Sequence, residues 1–223
     1  MSWDPIWEGI FSQRDWGRYP PEELIRFVAK HFYSVPDRSQ IKVLDIGCGP
    51  GANIWYLARE GLDAHGIDGS STAIEQCRAR IQEESLKAHL QVGDVISLHD
   101  FYPPSHFDAV IDVRCLGCNR MQSIRSIMDQ VLSVLKPGGR VFSVMLAAES
   151  WGYGLGEDVE PGTFVGIKEG AARGTGLNHF FTLEEVQKLF AGFSEVEIEH
   201  STRSVNNRQQ SFKLWITQAM KSP

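Results

Sequence analysis

The sequence predicts a doubly wound α/β domain, in which helices cover both faces of a mostly parallel β-sheet. Between residues 41 and 146, short apolar runs that suit strands alternate with segments of helical periodicity. Such alternation implies right-handed crossovers and parallel strands. A glycine-rich turn, 47–51, follows the first of these strands and occupies the place where open α/β sheets bind their ligands.

The composition limits the functions to be considered. At 223 residues with 42% hydrophobic content, the chain can form one domain, 1–223. Its formal net charge of -6 makes nucleic acid an unexpected partner, because nucleic-acid binders usually present a basic patch. No apolar run reaches the roughly 20 residues that cross a bilayer and no signal peptide is visible, so a cytoplasmic protein without membrane contact is expected. The sequence does not indicate an oligomeric state.

The four cysteines are expected to be reduced thiols, and no metal site is expected. Cys48, Cys77, Cys115 and Cys118 fall on or beside predicted elements rather than in a loop-rich scaffold. The spacing of Cys115 and Cys118 resembles half of a zinc site. A structural zinc ion needs about four ligands, however, and the sequence has no second such pair.

The elements follow one another in a regular order. Prolines at 20 and 21 with acids at 22 and 23 predict a helix start, and Thr182 with Glu185 predicts a helix cap. The predicted strands are 42–46, 64–68, 90–92, 107–113, 140–146, 196–199 and 213–216, and the later predicted helices are 52–60, 71–84, 121–135 and 182–192. The last two strands are separated only by a turn-rich stretch, so they should pair as an antiparallel hairpin.

Two regions lie outside this alternation. The segment 1–40 is rich in aromatic residues and is expected to form a helical cover, in which Trp16 either faces a ligand or packs across the sheet edge. The segment 149–178 contains eight glycines and is too long for an ordinary connection, so it is expected to form a lid or a substrate wall. A mobile linker is the alternative interpretation.

Three aspartates end successive predicted strands and define the expected site. Asp45 stands two residues before Gly47, where its carboxylate would repel a pyrophosphate but suits a ligand with an ammonium and a sulfonium group, such as S-adenosylmethionine. Asp68 can accept from two ribose hydroxyls, and Asp94 can accept from an adenine amine. Each aspartate alone is better explained as a helix or turn cap. All three with the glycine turn are better explained as one pocket.

These motifs resemble those of class I methyltransferases. The matching stretches are, in order, VLDIGCGPG (43–51), GID (66–68), GDV (93–95), FDAV (107–110) and LKPGG (135–139). The resemblance covers about 41–146 and implies a Rossmann-like methyltransferase fold, with a seven-stranded sheet whose last strand is reversed. It also implies S-adenosylmethionine as the cofactor and S-adenosylhomocysteine as its product.

The resemblance further implies which residues contact the cofactor. The glycine turn would border the methionine part, Asp45 would order the amino group, Asp68 would hold the ribose, and Asp94 with Val95 would hold the adenine. The end of the fourth strand would face the methyl group. There Arg114 is bulky and charged, and its partner is either the cofactor carboxylate or a surface acid. The expected cofactor-binding residues are Asp45, Gly47, Cys48, Gly49, Gly51, Asp68, Gly69, Asp94, Val95, Asp112, Val113, Arg114 and Trp16.

His179 is the candidate general base. Methyl transfer from a sulfonium is an in-line displacement, so the protein mainly has to hold a nucleophile about 3 Å from the methyl carbon. A base helps when the acceptor is an alcohol, a phenol or a protonated amine. His179 closes the glycine-rich segment just before a helix, where the resembling enzymes place substrate-facing residues; a surface or capping role is the alternative. His65 and His89 lie in predicted strands and are interpreted as structural.

The sequence therefore predicts an S-adenosylmethionine-dependent methyltransferase that acts on an oxygen or a nitrogen of a small-molecule acceptor. The acidic charge disfavours an RNA or protein methyltransferase. Asp45 and Asp94 disfavour a nicotinamide-dependent dehydrogenase, which would use the same glycine turn. A non-catalytic S-adenosylmethionine-binding protein stays open as an alternative, because methyl transfer needs no signature nucleophile.

Overall fold

The computed structural model describes residues 3–223, and in that range the chain forms six α-helices and ten strands. The helices are α1 (Ile6–Gln13), α2 (Glu22–Phe32), α3 (Ala52–Arg59), α4 (Ser71–Glu83), α5 (Met121–Val134) and α6 (Leu183–Leu189). The strands are β1 (Lys42–Ile46), β2 (Asp63–Asp68), β3 (His89–Val92), β4 (Phe107–Val113), β5 (Leu135–Leu146), β6 (Glu157–Glu160), β7 (Thr163–Val165), β8 (Asn178–His179), β9 (Ser194–Val205) and β10 (Gln210–Met220). The first two residues of the predicted cover 1–40, Met1 and Ser2, lie outside the described residues.

Seven strands in residues 3–223 form one sheet, in the order β3-β2-β1-β4-β5-β10-β9. β10 is antiparallel to its neighbours β5 and β9, whereas the pairs among β1 to β5 are parallel. The chain first builds outward from β1 to β3 and then crosses back to β4, which leaves a crevice at the carboxyl ends of β1 and β4. This architecture confirms the predicted doubly wound, mostly parallel sheet with a reversed last strand.

The central strands alternate between two apolar cores. Along β4, Val110 lies in the core that α5 and α6 cover, whereas Ala109 and Ile111 lie in the core that α2, α3 and α4 cover. Successive side chains of a strand point to opposite faces, so a strand buried on both faces must be apolar at nearly every position. Phe27 of α2 closes the second core by packing against Phe142, with ring centroids 5.0 Å apart.

The boundaries of the parallel elements agree closely with the predicted ones, except that β5 begins at Leu135, five residues before the predicted 140, and the last hairpin is also longer. β1 and β4 begin and end at the predicted residues. β9 and β10 extend several residues beyond the predicted 196–199 and 213–216 at both ends. Most residues of β9 are exposed, so the strand carries little apolar alternation from which its length could be recognised.

The glycine-rich segment 149–178 contains strands that the sequence did not reveal. β6 pairs with β7, and β7 pairs with β8, in a small antiparallel sheet. Its apolar side packs Phe164 and Phe180 against Leu146 at the end of β5. Strands of two to four residues between glycine turns show no usable periodicity. The segment forms a folded wall beside β5, and its function as a lid remains a prediction.

The N-terminal helix α1 lies against the start of α4. The side-chain hydroxyls of Ser70 and Thr72 donate to the Glu8 carboxylate, and these bonds lower the pKa of Glu8. The Gln76 side chain donates to the carbonyl of Phe11 at 2.8 Å. Within residues 3–223, no helix combines the length and the apolar character needed to cross a bilayer.

Candidate active site

A cavity of about 280 Å³ lies at the carboxyl ends of the parallel strands. The loops that follow β1, β2, β3 and β4 form its floor. Residues 3–21 contribute the cover, and residues 175–178, which end in β8, contribute a side wall. The cavity thus occupies the crevice that the reversal of strand order creates, as expected for a ligand site in an open α/β sheet.

The glycine turn after β1 is held in a conformation that requires glycine. Gly47, Gly49 and Gly51 have φ of +65°, +52° and +85°, values that other residues rarely adopt. The amide of Gly47 donates to the Ile67 carbonyl at 2.8 Å, which ties the turn to β2. A Cβ atom on Gly47 would lie 2.3 Å from the Sγ of Cys115. The turn therefore depends on glycine for its backbone conformation and, at Gly47, also for packing.

Asp68 joins the glycine turn to the start of α4. Its Oδ2 accepts from the amide of Gly49 at 2.8 Å, and its Oδ1 accepts from the amide of Ser70 at 2.8 Å. Burial raises the pKa of this carboxyl, and the two backbone bonds oppose the rise. An ionised carboxylate offers about four acceptor positions, so each oxygen can still accept a further donor from a ligand. Asp68 and Gly69 both line the cavity.

Asp45 lies beneath the turn. Its Oδ1 accepts from the side-chain amide of Asn53 at 3.3 Å, and Asn53 lines the cavity. Its Oδ2 is buried and has no hydrogen-bond partner within residues 3–223. Burial raises the pKa of Asp45 well above its ordinary range, and the nearby carboxylates of Asp112 and Asp68 raise it further. A cation bound near the turn would relieve this cost.

The three predicted residues at the end of β4 differ in whether they line the cavity. Asp112 accepts from the Ser143 hydroxyl at 2.5 Å and from the amides of Cys115 and Leu116, so its carboxylate holds the turn after β4 and does not reach the cavity surface. Val113 and Arg114 do line the cavity.

Arg114 is a half-buried cation whose contacts leave room for an anion. Its φ is +68°, and its Nη2 donates to the Ala171 carbonyl at 3.2 Å. Its Nε has no hydrogen-bond partner within residues 3–223, and burial lowers the pKa of the guanidinium. No acidic side chain in that range forms an ion pair with it. Of the two partners considered for Arg114, the surface acid is therefore not found among the described residues.

Trp3 and Val95 line the end of the cavity beside the loop after β3, whereas Asp94 lies in that loop and is not among the lining residues. Asp94 accepts from the amide of Ile96 at 3.1 Å and from the amide of Trp3 at 3.2 Å. Val95 lines the cavity. The Trp3 indole packs on Gly69 so closely that a Cβ there would lie 2.5 Å from the ring. The N-terminal segment therefore contacts the two loops that the sequence assigns to ribose and adenine.

Three aromatic rings form the main part of the cover. Trp7, Phe11 and Trp16 have ring centroids 5.5 to 5.6 Å apart and all line the cavity. Such pairs stabilise one another beyond their buried area. Trp16 is 39% exposed and forms the outer side of the cluster. Of the two positions considered for Trp16, the structure shows the one that faces the cavity.

His179 lies behind the wall and does not line the cavity. Its side chain is 0% exposed, its Nδ1 shares a 2.7 Å hydrogen bond with the Thr163 hydroxyl, and its Nε2 is 3.5 Å from the Glu185 carboxylate. Burial lowers the pKa of the imidazole. The neighbouring Asn178 lines the cavity instead. Its role as a base stays a prediction, and its side chain does not reach the cavity in which a ligand would bind.

Several cavity residues had no recognisable signal in the sequence. Asp4, Asn119, Thr175 and Asn178 contribute polar groups to the lining. Asp4, Asn119 and Thr175 lie in irregular segments and Asn178 begins the two-residue strand β8, none of which matches a motif, and the fold brings them together from distant parts of the chain. The aromatic richness of the N-terminal segment was the one signal that pointed to further cavity residues.

Comparisons with known proteins agree with this site. Residues 43–139 match the model of a family described as methyltransferase domain. The ubiquinone biosynthesis O-methyltransferase of Pectobacterium carotovorum subsp. carotovorum (strain PC1) is 29% identical over 112 residues, which are 49% of this chain and 46% of that protein. The demethylmenaquinone methyltransferase of Tropheryma whipplei (strain Twist) is 34% identical over 101 residues, which are 45% of this chain and 39% of that protein.

A solved structure of a methyltransferase from Methanosarcina mazei shares the fold. It superimposes with a TM-score of 0.67 at 24% identity, over 81% of this chain and 92% of that chain. The chain spans less than half the length of the two curated relatives that it matches. The sequence likeness is thus concentrated in the strands and loops that build the cavity floor.

Proposed function

We propose that the chain is an S-adenosylmethionine-dependent methyltransferase of class I that transfers a methyl group to a small-molecule acceptor, on the premise that residues 43–139 match the methyltransferase-domain family. The observation that carries the proposal is the cavity floor, where the glycine turn, Asp68 and the buried, partly unpaired Asp45 meet. Their donor set suits a ligand that carries a ribose and a positive charge and has no phosphate.

The residues fit this cofactor position by position. Asp68 would accept from both ribose hydroxyls, and the loop at Asp94 and Val95 would hold the adenine. Asp45 would favour the ammonium group through its electrostatic potential and through Asn53. When bound, the cofactor supplies an electrophilic methyl group on a sulfonium.

We assign the cofactor carboxylate to Arg114. The half-buried side chain lines the cavity, its Nε is buried and unpaired, and it follows the strand that would face the methionine end of the site. A buried donor without a partner is costly, and a carboxylate ligand would offset that cost.

The cavity favours a small acceptor. Its volume of about 280 Å³ is just below the roughly 300–1,000 Å³ of small-molecule sites, and the cofactor would fill part of it, so little space remains for the acceptor. The aromatic cover closes one side, and Asp4, Asn119 and Asn178 provide hydrogen-bonding groups. Those groups can orient an oxygen or nitrogen nucleophile, and the cover excludes water. Because the displacement is in line, the main task of these residues is to align the acceptor with the methyl group.

Calorimetry with S-adenosylmethionine and S-adenosylhomocysteine tests the cofactor assignment, with NAD as the control ligand. We expect both sulfur ligands to bind and NAD not to bind. Asp68→Ala should weaken binding by roughly tenfold or more, because it removes two charge-assisted hydrogen bonds to the ligand. Asp100→Ala, at an exposed aspartate, is the matched control. Because Asp68 also holds two backbone amides, Asp68→Asn and a circular dichroism spectrum separate lost affinity from lost folding.

The outcomes distinguish the alternatives. Binding of NAD alone would contradict the proposal, and unchanged affinity in a folded Asp68→Ala variant would remove Asp68 from the site. Turnover is then measured with small phenols, quinols and amines, beginning with quinols because the two relatives carry ubiquinone and demethylmenaquinone in their names. Tight binding without turnover on any acceptor would favour the non-catalytic alternative.

A further inference from the structure

A cluster of two histidines and an aspartate lies at the amino ends of β2 and β3. It consists of Asp63, His65 and His89. The proposed methyl-transfer cavity lies at the opposite, carboxyl ends of the same strands. The cluster therefore takes no part in the site described above, and neither the family match nor the motifs account for it.

The strand register brings the three side chains to one face of the sheet. Asp63 and His65 are two residues apart on β2 and thus point to the same face. His89 is the direct partner of His65 in the parallel pairing of β2 with β3. The two imidazole rings stack with centroids 4.4 Å apart and planes 19° apart.

The separations of the donor atoms match a metal coordination sphere. Oδ1 of Asp63 lies 3.3 Å from Nε2 of His65 and 3.4 Å from Nε2 of His89. A tetrahedral zinc ion with bonds of about 2.0–2.1 Å places neighbouring ligand atoms about 3.4 Å apart. All three donor atoms lie within 4.8 Å of one another.

The polar contact between His65 and Asp63 is long. His65 is 8% exposed, and its buried Nε2 lies 3.3 Å from Oδ1 of Asp63 without the geometry of a regular hydrogen bond. A buried polar nitrogen without a well-formed partner is uncommon. An ion between the three groups would satisfy this nitrogen and the carboxylate together.

We propose that Asp63, His65 and His89 bind a divalent transition-metal ion, with zinc as the preferred ion. Two imidazoles and a carboxylate are ligands that suit zinc, and three protein ligands leave one position for water. His89 is exposed and Asp63 is half-buried, which gives the ion a path from solvent. The ion would join β3, a four-residue strand at the edge of the sheet, to its only neighbour among the described strands, β2.

The test is a titration of the purified full chain, without an affinity tag, with Zn²⁺ by calorimetry. We expect one ion per chain in the wild type, and binding at least about tenfold weaker in His89→Ala, since even the loss of a group that only orients a metal ligand weakens affinity tenfold or more. His99→Ala, at another exposed histidine outside the cluster, is the matched control and should bind as the wild type does. Asp63→Asn, which keeps the side-chain shape, guards against misfolding of a single variant.

Two further readouts identify the ligands. The melting temperature should rise with Zn²⁺ in the wild type and in His99→Ala but not in His89→Ala, because an ion that binds only the folded chain stabilises it. Co²⁺ should give the visible spectrum of a site with nitrogen and oxygen ligands. Equal Zn²⁺ affinity in the wild type and His89→Ala would overturn the proposal. A thiolate-to-cobalt charge-transfer band that disappears in Cys115→Ser would place the metal at the cysteines and would also overturn it.

Discussion

Asp112 makes the stability of the chain depend on pH in a way that one substitution can remove. Its carboxylate is buried at the end of β4, where it accepts from the Ser143 hydroxyl and from the amides of Cys115 and Leu116. In Asp112→Asn, the remaining oxygen can accept from both amides. The new amide group can donate to the Ser143 oxygen, because a hydroxyl both donates and accepts. The substitution therefore removes a charge and keeps the contacts.

The sign and the size of the effect follow from the pKa of Asp112. Burial raises this pKa from its ordinary 3.8 to about 6, against the opposing hydrogen bonds. Because the folded value is higher than the unfolded value, the neutral form stabilises the fold below about pH 4, and this stabilisation is lost as the pH rises through about 6. The difference between the two pKa values corresponds to about 3 kcal/mol of unfolding free energy.

Urea unfolding of the wild type and Asp112→Asn between about pH 4 and pH 7.5 measures this effect. The free energy of unfolding of the variant minus that of the wild type should increase by about 2.5 kcal/mol across this range, because a small part of the effect has developed by pH 4, and most of the increase should fall between the unfolded and folded pKa values. Other carboxylates titrate in both proteins and cancel in the difference. Asp100→Asn, at an exposed position, should give a difference that is flat with pH. A flat difference for Asp112→Asn as well would refute the reasoning.

Two further substitutions test the glycine turn and the cover. Gly47→Ala should lower the free energy of unfolding by about 2–4 kcal/mol, because it adds left-handed strain and a clash with Cys115. When Cys115 is also replaced by glycine, the cost of Gly47→Ala should fall by about 1 kcal/mol or more. An equal cost with and without Cys115→Gly would contradict the packing argument. Trp16→Ala should weaken cofactor binding by roughly tenfold, because the ring lines the cavity, and should lower the free energy of unfolding by about 1–2 kcal/mol, because its contacts with Trp7 and Phe11 are lost. Unchanged affinity in calorimetry would remove Trp16 from the site.

The sequence predicted those parts of the fold in which burial or hydrogen bonding requires particular residue types at a fixed spacing. The parallel strands are covered on both faces, so β1 and β4 appear as apolar runs with clear ends. The capping box of α6 was visible because its hydrogen bonds require Thr182 and Glu185 three residues apart. The sheet topology predicted from the motifs is confirmed, and residues 43–139, which contain the motifs, match the methyltransferase-domain family model. The small sheet of β6, β7 and β8 was missed, because its strands are too short to show any alternation.

The sequence could predict the site residues that a local pattern places, but not those that tertiary packing places. The glycine turn, Asp45 and Asp68 lie within a few residues of a strand end, and the parallel topology alone brings strand ends together. Asn178 and the cover reach the cavity through tertiary packing, which no local pattern encodes.

His179 is next to a cavity-lining residue in the sequence but does not line the cavity itself. It follows Asn178 by one position, but adjacent residues of a strand point to opposite faces, so when Asn178 faces the cavity His179 must face the interior. A candidate residue on a short strand can therefore be judged only when the strand and its facing side are known. For this chain, the cavity-facing side chains of residues 175–178 are the ones to substitute in search of acceptor specificity.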